Sequence, residues 1–509
     1  MTLVHLRDGT YKTVLCDRMC SQGKMGTVKD AVEKRLGVDT RALAALRVSL
    51  ALLILADLSM RARDLVVFYT DAGVLPRETQ AEVFAPAVFS LHMLSGSVAV
   101  QAALFVVAAL FALALLVGYR TRLVLAVCLV LLLSLHARNH FVLNAGDRLL
   151  RVTLFLCLFL PLGRRWSVDA YRKDRDGSVT VFSAGTAVFL LHVVLVYTAN
   201  FLFKLRADGL WLTGDAVVHI MRMDRFTVLV GNHLADYGAL LVAANWLWLV
   251  LLGGSVVLVL TAGRARVVAV AAYAGGHLGM LLTMRLGLFP LIAVAVLLPF
   301  LPSYVWDAVE RRLPSMLSLP TRTRDIFDAR FGDSGSRESR VDFSRLRRRF
   351  RHVVPALVVG FLLFTAFWQA VALGYASPPP VVGDDVDPSN HYSWSMFTVE
   401  TPPVDRWFVA TATLETGEAH DLSLFAETGA VDRPPDVGAT YPSTLWHRHM
   451  SSLRFSGEAE QRAFVGYLCG HAGETHGDVR EVTVEYVEQP TRTDGYAEAE
   501  RVELITREC

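Results

Sequence analysis

The stretch from Gly96 to Val117, GSVAVQAALFVVAALFALALLV, contains no charged residue. A helix crossing the hydrocarbon core of a bilayer needs roughly 20 consecutive apolar residues, so this stretch reads as a membrane span. Eight further apolar runs follow the same reading, at 43–60, 121–137, 148–163, 180–203, 238–261, 266–284, 286–302 and 353–373. One run of this kind could be a buried core helix, but nine in one chain could not. The expected architecture is therefore an all-α polytopic membrane domain of about nine transmembrane helices. The composition agrees: 53% of the 509 residues are hydrophobic and 19% are charged. That excludes a disordered chain and argues against a wholly soluble one.

The net charge of +2 is a cancellation. Residues 374–509 hold 23 Asp and Glu against nine Arg, a net of −14, and residues 1–373 hold 41 basic against 25 acidic residues, a net of +16. The basic residues sit in alternate connections: the N-terminal arm 1–40, Tyr119-Arg-Thr-Arg122, the loop from Gly163 to Arg175, Gly263-Arg-Ala-Arg266, and the linker 303–352 with its 12 Arg. By the positive-inside rule the arm and linker are cytoplasmic, the membrane domain covers 41–302, and 353–373 is the last span. The segment 374–509 then emerges outside the cell membrane. The arginine-rich run that ends the linker is read as a topology anchor, and no nucleic acid is expected as a partner. The first 24 residues lack the apolar core of a cleavable signal, and Met25 is an alternative start.

Residues 374–509 begin as a Pro-rich acidic linker. Alternating apolar residues then predict strands at 406–414, 481–488 and 500–506, and segments 443–455 and 458–470 look helical. This is a small extracytoplasmic α+β domain. Cys469 and Cys509 both fall in it, where a disulfide could persist.

Lysine usage singles out one position. The chain has six Lys against 44 Arg, and Lys204, in Phe203-Lys-Leu-Arg-Ala-Asp-Gly-Leu-Trp211, is the only one after residue 173. Arginine stays protonated, whereas a desolvated lysine can shed its proton near neutral pH and act as a base. The alternative is a boundary lysine that snorkels to the interface. Other polar residues collect on the same predicted side, in Arg138-Asn-His-Phe-Val-Leu-Asn-Ala-Gly-Asp-Arg148, at Asp57, and at His277 within a span. Ionisable residues inside a membrane are expensive and mark candidate sites. His92, His192 and His277 lie one to a segment, unlike paired haem ligands. Neither Cys16 and Cys20 nor the group His447, His449, Cys469, His471 and His476 has the spacing of a standard metal site. No metal is expected.

In order, these motifs resemble the vitamin K-dependent γ-carboxylase family, whose microbial relatives are the horizontally transferred transmembrane (HTTM) domain proteins. The resemblance rests on Phe68-Tyr-Thr-Asp-Ala-Gly-Val-Leu-Pro76, Trp166-Ser-Val-Asp169, Lys204-Leu-x-Ala-Asp followed by Trp211, His277 with Gly287 and Phe289, and Tyr392-Ser-Trp-Ser-Met396. It implies an enzyme whose lysine, here Lys204, deprotonates a reduced naphthoquinone (menaquinol or vitamin K hydroquinone). With O2 that quinol generates a strong base, which takes a proton from a glutamate γ-carbon before CO2 is captured. The resemblance makes Asp147, Asn144, His140 and His277 further catalytic candidates. Tyr392, Trp394, Met396 and Trp211 are candidates for substrate binding. The lipid bilayer, a membrane quinone and an exported protein or peptide are the implied partners. Two departures stand out. The animal enzymes' Asn-Asn-His run is replaced here by Asn144-Ala-Gly-Asp147, with Asn139-His140 several residues earlier. After Met396 no cation appears until Arg406, and the domain is acidic. A quinol epoxidase or oxygenase that does not carboxylate, and a non-catalytic membrane scaffold whose C-terminal domain binds partners, therefore stay open.

Overall fold

The structure is a computed structural model that describes residues 29–172, 179–207, 209–312, 344–379, 393–398, 403–422 and 433–509. Cys16, Cys20, Met25, residues 313–343 of the basic linker and Tyr392 lie outside the described residues.

Each apolar run contains a helix: α1 (Thr40–Arg63), α2 (Val98–Val117), α3 (Thr121–Arg138), α4 (Ala145–Cys157), α5 (Ala184–Arg206), α6 (Gly238–Gly253), α7 (Gly263–Thr283), α8 (Phe289–Leu297) and α9 (Ser344–Ala372). Their ends are set locally. Ser97 caps the start of α2 by accepting from the Val100 amide, and Gly118 closes its end in the left-handed region at φ 70°, which glycine adopts without strain.

Six helices are long and apolar enough to cross a membrane: α1, α2, α3, α5, α7 and the Val353–Ala372 part of α9. A seventh is reached only by joining Phe289–Phe300 to Ser303–Arg312 across a 110° bend. Of the nine expected spans, six or seven are present by length and composition among the described residues. The run 148–163 yields only the 13-residue α4, about 20 Å at 1.5 Å per residue, because it turns at Leu158 and meets Pro161. The run 238–261 breaks after Gly253-Gly254. In 286–302, Pro290 and Pro299 fall where α8 starts and where it gives way to a 3₁₀ turn; proline cannot continue an interior helical hydrogen bond.

The C-terminal domain is a mixed unit around an antiparallel sheet: β1 (Val404–Leu414), β2 (Ala419–Asp421), β3 (Val479–Arg492) and β4 (Glu500–Glu508). The order is β2-β1-β3-β4, with Thr411 opposite both Asp421 and Thr483, and Val484 opposite Ile505. Helices α10 (Thr444–Leu453) and α11 (Glu458–His476) complete it. All three expected strands and both helices are present. Cys469 on α11 is bonded to Cys509 beyond β4, with Cα atoms 5.5 Å apart.

The domain docks on the membrane helices through α10. Ser452 donates to the Phe141 carbonyl at 3.1 Å, Arg448 to the Val142 carbonyl at 3.1 Å, and Ser443 to the Asp64 carboxylate at 2.5 Å. One apolar core runs without interruption from Leu50 and Leu132 in the membrane helices to Leu445 and Val484 in the domain. The segment 393–398 is threaded between the two parts and meets the end of α5.

Candidate functional site

Lys204 stands two residues before the end of α5, where the helix reaches the C-terminal domain. It is 1% exposed. Its Nζ donates to the Met396 carbonyl at 2.7 Å and the Phe397 carbonyl at 3.0 Å, and lies 3.9 Å from the centroid of the Trp211 ring. Among the described residues no carboxylate pairs with it. Trp211 Nε1 also donates to the Phe397 carbonyl, and Asn200, one turn back on α5, donates to the Trp394 and Met396 carbonyls. These bonds hold Phe397 at φ 55°, a left-handed conformation costing a non-glycine residue about 1–2 kcal/mol. The strain turns two successive carbonyls onto one amine.

That amine lines a cavity of about 330 Å³ with Asn200, Tyr197, Trp211, Trp248 and His277. Most of the remaining wall is aliphatic side chains, and no carboxylate or guanidinium contributes to it among the described residues. Tyr197 OH and His277 Nε2 are 2.9 Å apart. Both the size and the mostly apolar wall with a few convergent polar groups suit a small organic ligand. A naphthoquinone fits this donor set: Lys204 and Asn200 are the groups that could meet its ring oxygens.

A second cavity, about 340 Å³, adjoins the first, and Ile220, Phe289, Met396 and Phe397 line both. Its wall is different in kind, containing Arg225, Arg285, Arg448, His447 and Asn144. Arg225 is engaged with Asp405 at 3.6 Å and with the Val404 carbonyl at 2.7 Å. Arg448 is paired with Asp147 at 3.3 Å. For Arg285 no side-chain ion pair is found among the described residues, and its buried Nε has no hydrogen-bond partner there. His447 is pushed down to about 3 by burial, with the three arginines acting in the same direction, so it is neutral near pH 7 and its buried Nε2 is unpartnered. A neutral imidazole beside guanidinium groups suits an anionic ligand such as a carboxylate.

Behind this cavity lies a charge network. Arg61 donates to Asp57 at 2.8 Å, to Asp147 at 2.6 Å and to Tyr69 OH at 2.8 Å. Asp147 also closes a capping box with Asn144 at the start of α4. Asp57, His136 and Asp147 come close enough to face one metal ion, but the two carboxylates are already taken up by Arg61 and Arg448. Gly287, at φ 61°, leaves room for Arg448: a Cβ there would lie 2.6 Å from its Nη2.

The sequence-derived residues thus separate into groups. Lys204, Trp211, His277 and Met396 share the first cavity. Trp394 joins them through its carbonyl, while its ring packs on His192. Asn144 lines the second cavity, and Asp147 supports Arg448 from outside the Lys204 cavity. His140 lines neither: it stacks on Phe84 at 4.6 Å and contacts Gln80 at 3.3 Å. Asp169 of Trp166-Ser-Val-Asp169 accepts from Thr121 at the opposite ends of the helices, a structural role. Of the histidine–cysteine group, Cys469 is in the disulfide and His449 packs among Phe68, Phe141, Trp446 and Phe464. The sequence reading missed Asn200 and the three arginines. The interruption of an apolar run by Arg285, and Arg448 between two histidines, were the available signals.

The HTTM domain family matches residues 37–306, more than half of the chain, including Lys204, His277 and all of α1–α8. Nothing matches among curated proteins or among solved structures.

Proposed function

This chain belongs to the HTTM domain family, and from that premise we propose that it is an integral membrane enzyme. It couples oxygenation of a reduced naphthoquinone by O2 to proton abstraction from a carbon acid, with a protein glutamate as the substrate that fits best and CO2 as the group captured. The observation that carries this reading is Lys204: a fully buried amine, held by two carbonyls and no carboxylate, in the wall of an apolar cavity.

With no carboxylate paired to it among the described residues, the amine is the group at hand to accept a proton from a quinol hydroxyl. Asn200 and the Met396 and Phe397 carbonyls fix its direction, and Tyr197 holds His277. The apolar wall excludes water, which protects a strong base from quenching. A bound reduced naphthoquinone supplies the electrons and, with O2, the base that Lys204 alone could not be. The second cavity supports the coupled half. Arg285 and Arg448 are placed to hold a carboxylate next to the shared wall of Phe289, Met396 and Phe397. The expected lack of a cation after Met396 is thus met by arginines from other segments.

The net charge of −14 in residues 374–509 favours a second reading, quinol oxygenation without a carboxylate substrate. For topology we propose nine passes, with α4, α6 and α8 as short or broken crossings. Supporting this, the C-terminal ends of α1, α3, α5, α7 and α9 and the N-terminal ends of α4 and α8 lie toward the sheet domain. The N-terminus is then cytoplasmic and the sheet domain extracytoplasmic, facing exported peptides.

The test is epoxide formation by the full-length protein in lipid nanodiscs with reduced menaquinone and O2. Wild type forms epoxide, and Lys204→Ala does not, at equal yield and elution volume. A wild type that leaves the quinol no more oxidised than empty nanodiscs overturns the enzyme reading. Labelled bicarbonate with glutamyl peptides then separates the coupled reading from the uncoupled one.

A further inference from the structure

From Val83 to Tyr119 the chain carries no Asp, Glu, Lys or Arg. The span α2 accounts only for Val98–Val117 of this stretch. Before it come two short 3₁₀ turns, Ala85–Phe89 and Leu91–Met93, in the connection between α1 and α2. Phe89 is 90% exposed, Leu94 75% and Val88 70%, whereas Ala87, Ser90 and His92 among them are buried.

The inward residues hold these turns below the ends of two spans. Ser90 Oγ donates to the Ser134 carbonyl at 2.6 Å, and the His92 amide donates to Ser134 Oγ at 3.3 Å. Ser134 stands four residues before the end of α3, about 6 Å inside it at 1.5 Å per residue. On the other side, His92 Nδ1 and Gln101 Oε1 are 2.8 Å apart, and Gln101 Nε2 donates to the His92 carbonyl at 2.8 Å. The His92 ring lies 6.0 Å from that of Phe105, which is seven residues into α2, about 10 Å from its start. Both α2 and α3 are long and apolar enough to cross a membrane, and each places the turns at the depth of its own apolar residues. Their outward faces are bare as well, with Val106, Leu110, Val130 and Leu133 exposed.

We propose that Val88, Phe89, Leu91 and Leu94 form a wedge that dips into the acyl chains of the leaflet nearest the sheet domain. A contiguous exposed apolar patch marks an interaction surface. Its depth and its continuity with the bare faces of α2 and α3 make lipid hydrocarbon the partner. The lack of any lysine or arginine in the segment argues against a phosphate head at this position. The wedge is also tied to the sheet domain. The helix just before it, Arg77–Val83, packs on α11, and Gln80 of that helix donates to the Ala137 carbonyl at the end of α3 at 2.8 Å. The connection therefore seats the domain at a fixed height over the bilayer. This does not depend on what the Lys204 cavity binds.

The test is spin-label accessibility in the full-length protein in nanodiscs. Phe89→Cys is labelled in a Cys16→Ser, Cys20→Ser background, since the free cysteines Cys128 and Cys157 are buried. Leu110→Cys on α2 serves as the hydrocarbon reference and Glu500→Cys on β4 as the aqueous one. The label at Phe89 is expected to be relaxed more by O2 than by a water-soluble nickel chelate, with a ratio close to that at Leu110. A ratio close to that at Glu500 puts the turns in water and overturns the wedge. A label shielded from both reagents means that protein, such as a second copy of this chain, covers the patch, and overturns it too. If Phe89→Cys does not fold, Leu94→Cys reports on the same patch with the same outcomes.

Discussion

Lys204 and Met396 are 192 residues apart and joined by a 2.7 Å hydrogen bond from Nζ to a main-chain carbonyl. A membrane helix and the segment entering the C-terminal domain thus build one site. Neither part is complete alone: α5 supplies the amine, and residues 396–397 supply the carbonyls that aim it.

The role of base and the role of anchor can be separated. Lys204→Arg keeps a donor for the two carbonyls, but a guanidinium does not give up its proton. The expected outcome is a folded protein with quinol turnover reduced about 10²–10⁴-fold, the usual range for a lost general base. Turnover within a few-fold of wild type would assign Lys204 to anchoring only.

Arg285 should matter for the carbon acid and not for the quinol. Losing a hydrogen bond to a charged group costs about 1.5–3 kcal/mol, so Arg285→Gln should raise the KM of a glutamyl peptide about 10- to 150-fold. Epoxide formation without peptide should be affected much less. Equal loss in both assays would contradict the division into two cavities.

Asp147 balances two arginines, Arg61 at 2.6 Å and Arg448 at 3.3 Å. Asp147→Asn leaves them without one of their counter-charges, and breaking a buried pair costs about 3–5 kcal/mol. The thermal midpoint should fall clearly, whereas Glu458→Gln, at an exposed pair with Arg462, should change it little. The comparison is made by thermal unfolding in one detergent.

His449 is buried among four aromatic rings, and neither ring nitrogen has a partner among the described residues. Burial pushes it down to about 3, so it is neutral in the folded protein while the unfolded chain binds a proton near pH 6.5. The unfolded state is then the one that gains protons as pH falls. Stability contributed here is present above about pH 6.5 and is lost between there and pH 3, by about 1.4 kcal/mol at pH 5.5. His449→Phe should remove this part of the pH dependence and raise stability at pH 5.5, measured by unfolding at pH 5.5 and 7.5. An unchanged pH slope would contradict it.

Much of the fold was legible in the sequence because its signals are local. Apolar run length marked the nine helices of the membrane part, and alternation marked strands such as Val404–Leu414. What run length could not show was continuity: Pro290, Pro299 and the Gly253-Gly254 pair break helices without interrupting hydropathy. At the site, Lys204 stood out because arginine is used almost everywhere else. Arg225, Arg285 and Arg448 did not, since they come from three distant segments and meet only in the folded chain. Net charge likewise does not show where the charges lie. Glu498, Glu500, Glu503 and Glu508 are exposed on or beside the sheet's outer edge, whereas the face turned to the cavity carries arginine.

The most direct test of the central claim is a density map of the protein in nanodiscs supplied with menaquinone. Ring density in the cavity, within hydrogen-bond reach of Lys204 Nζ and lost in Lys204→Ala or in menaquinone-free nanodiscs, is the predicted result. Density for the quinone only elsewhere on the membrane surface, with the Lys204 cavity the same with and without it, would contradict the account.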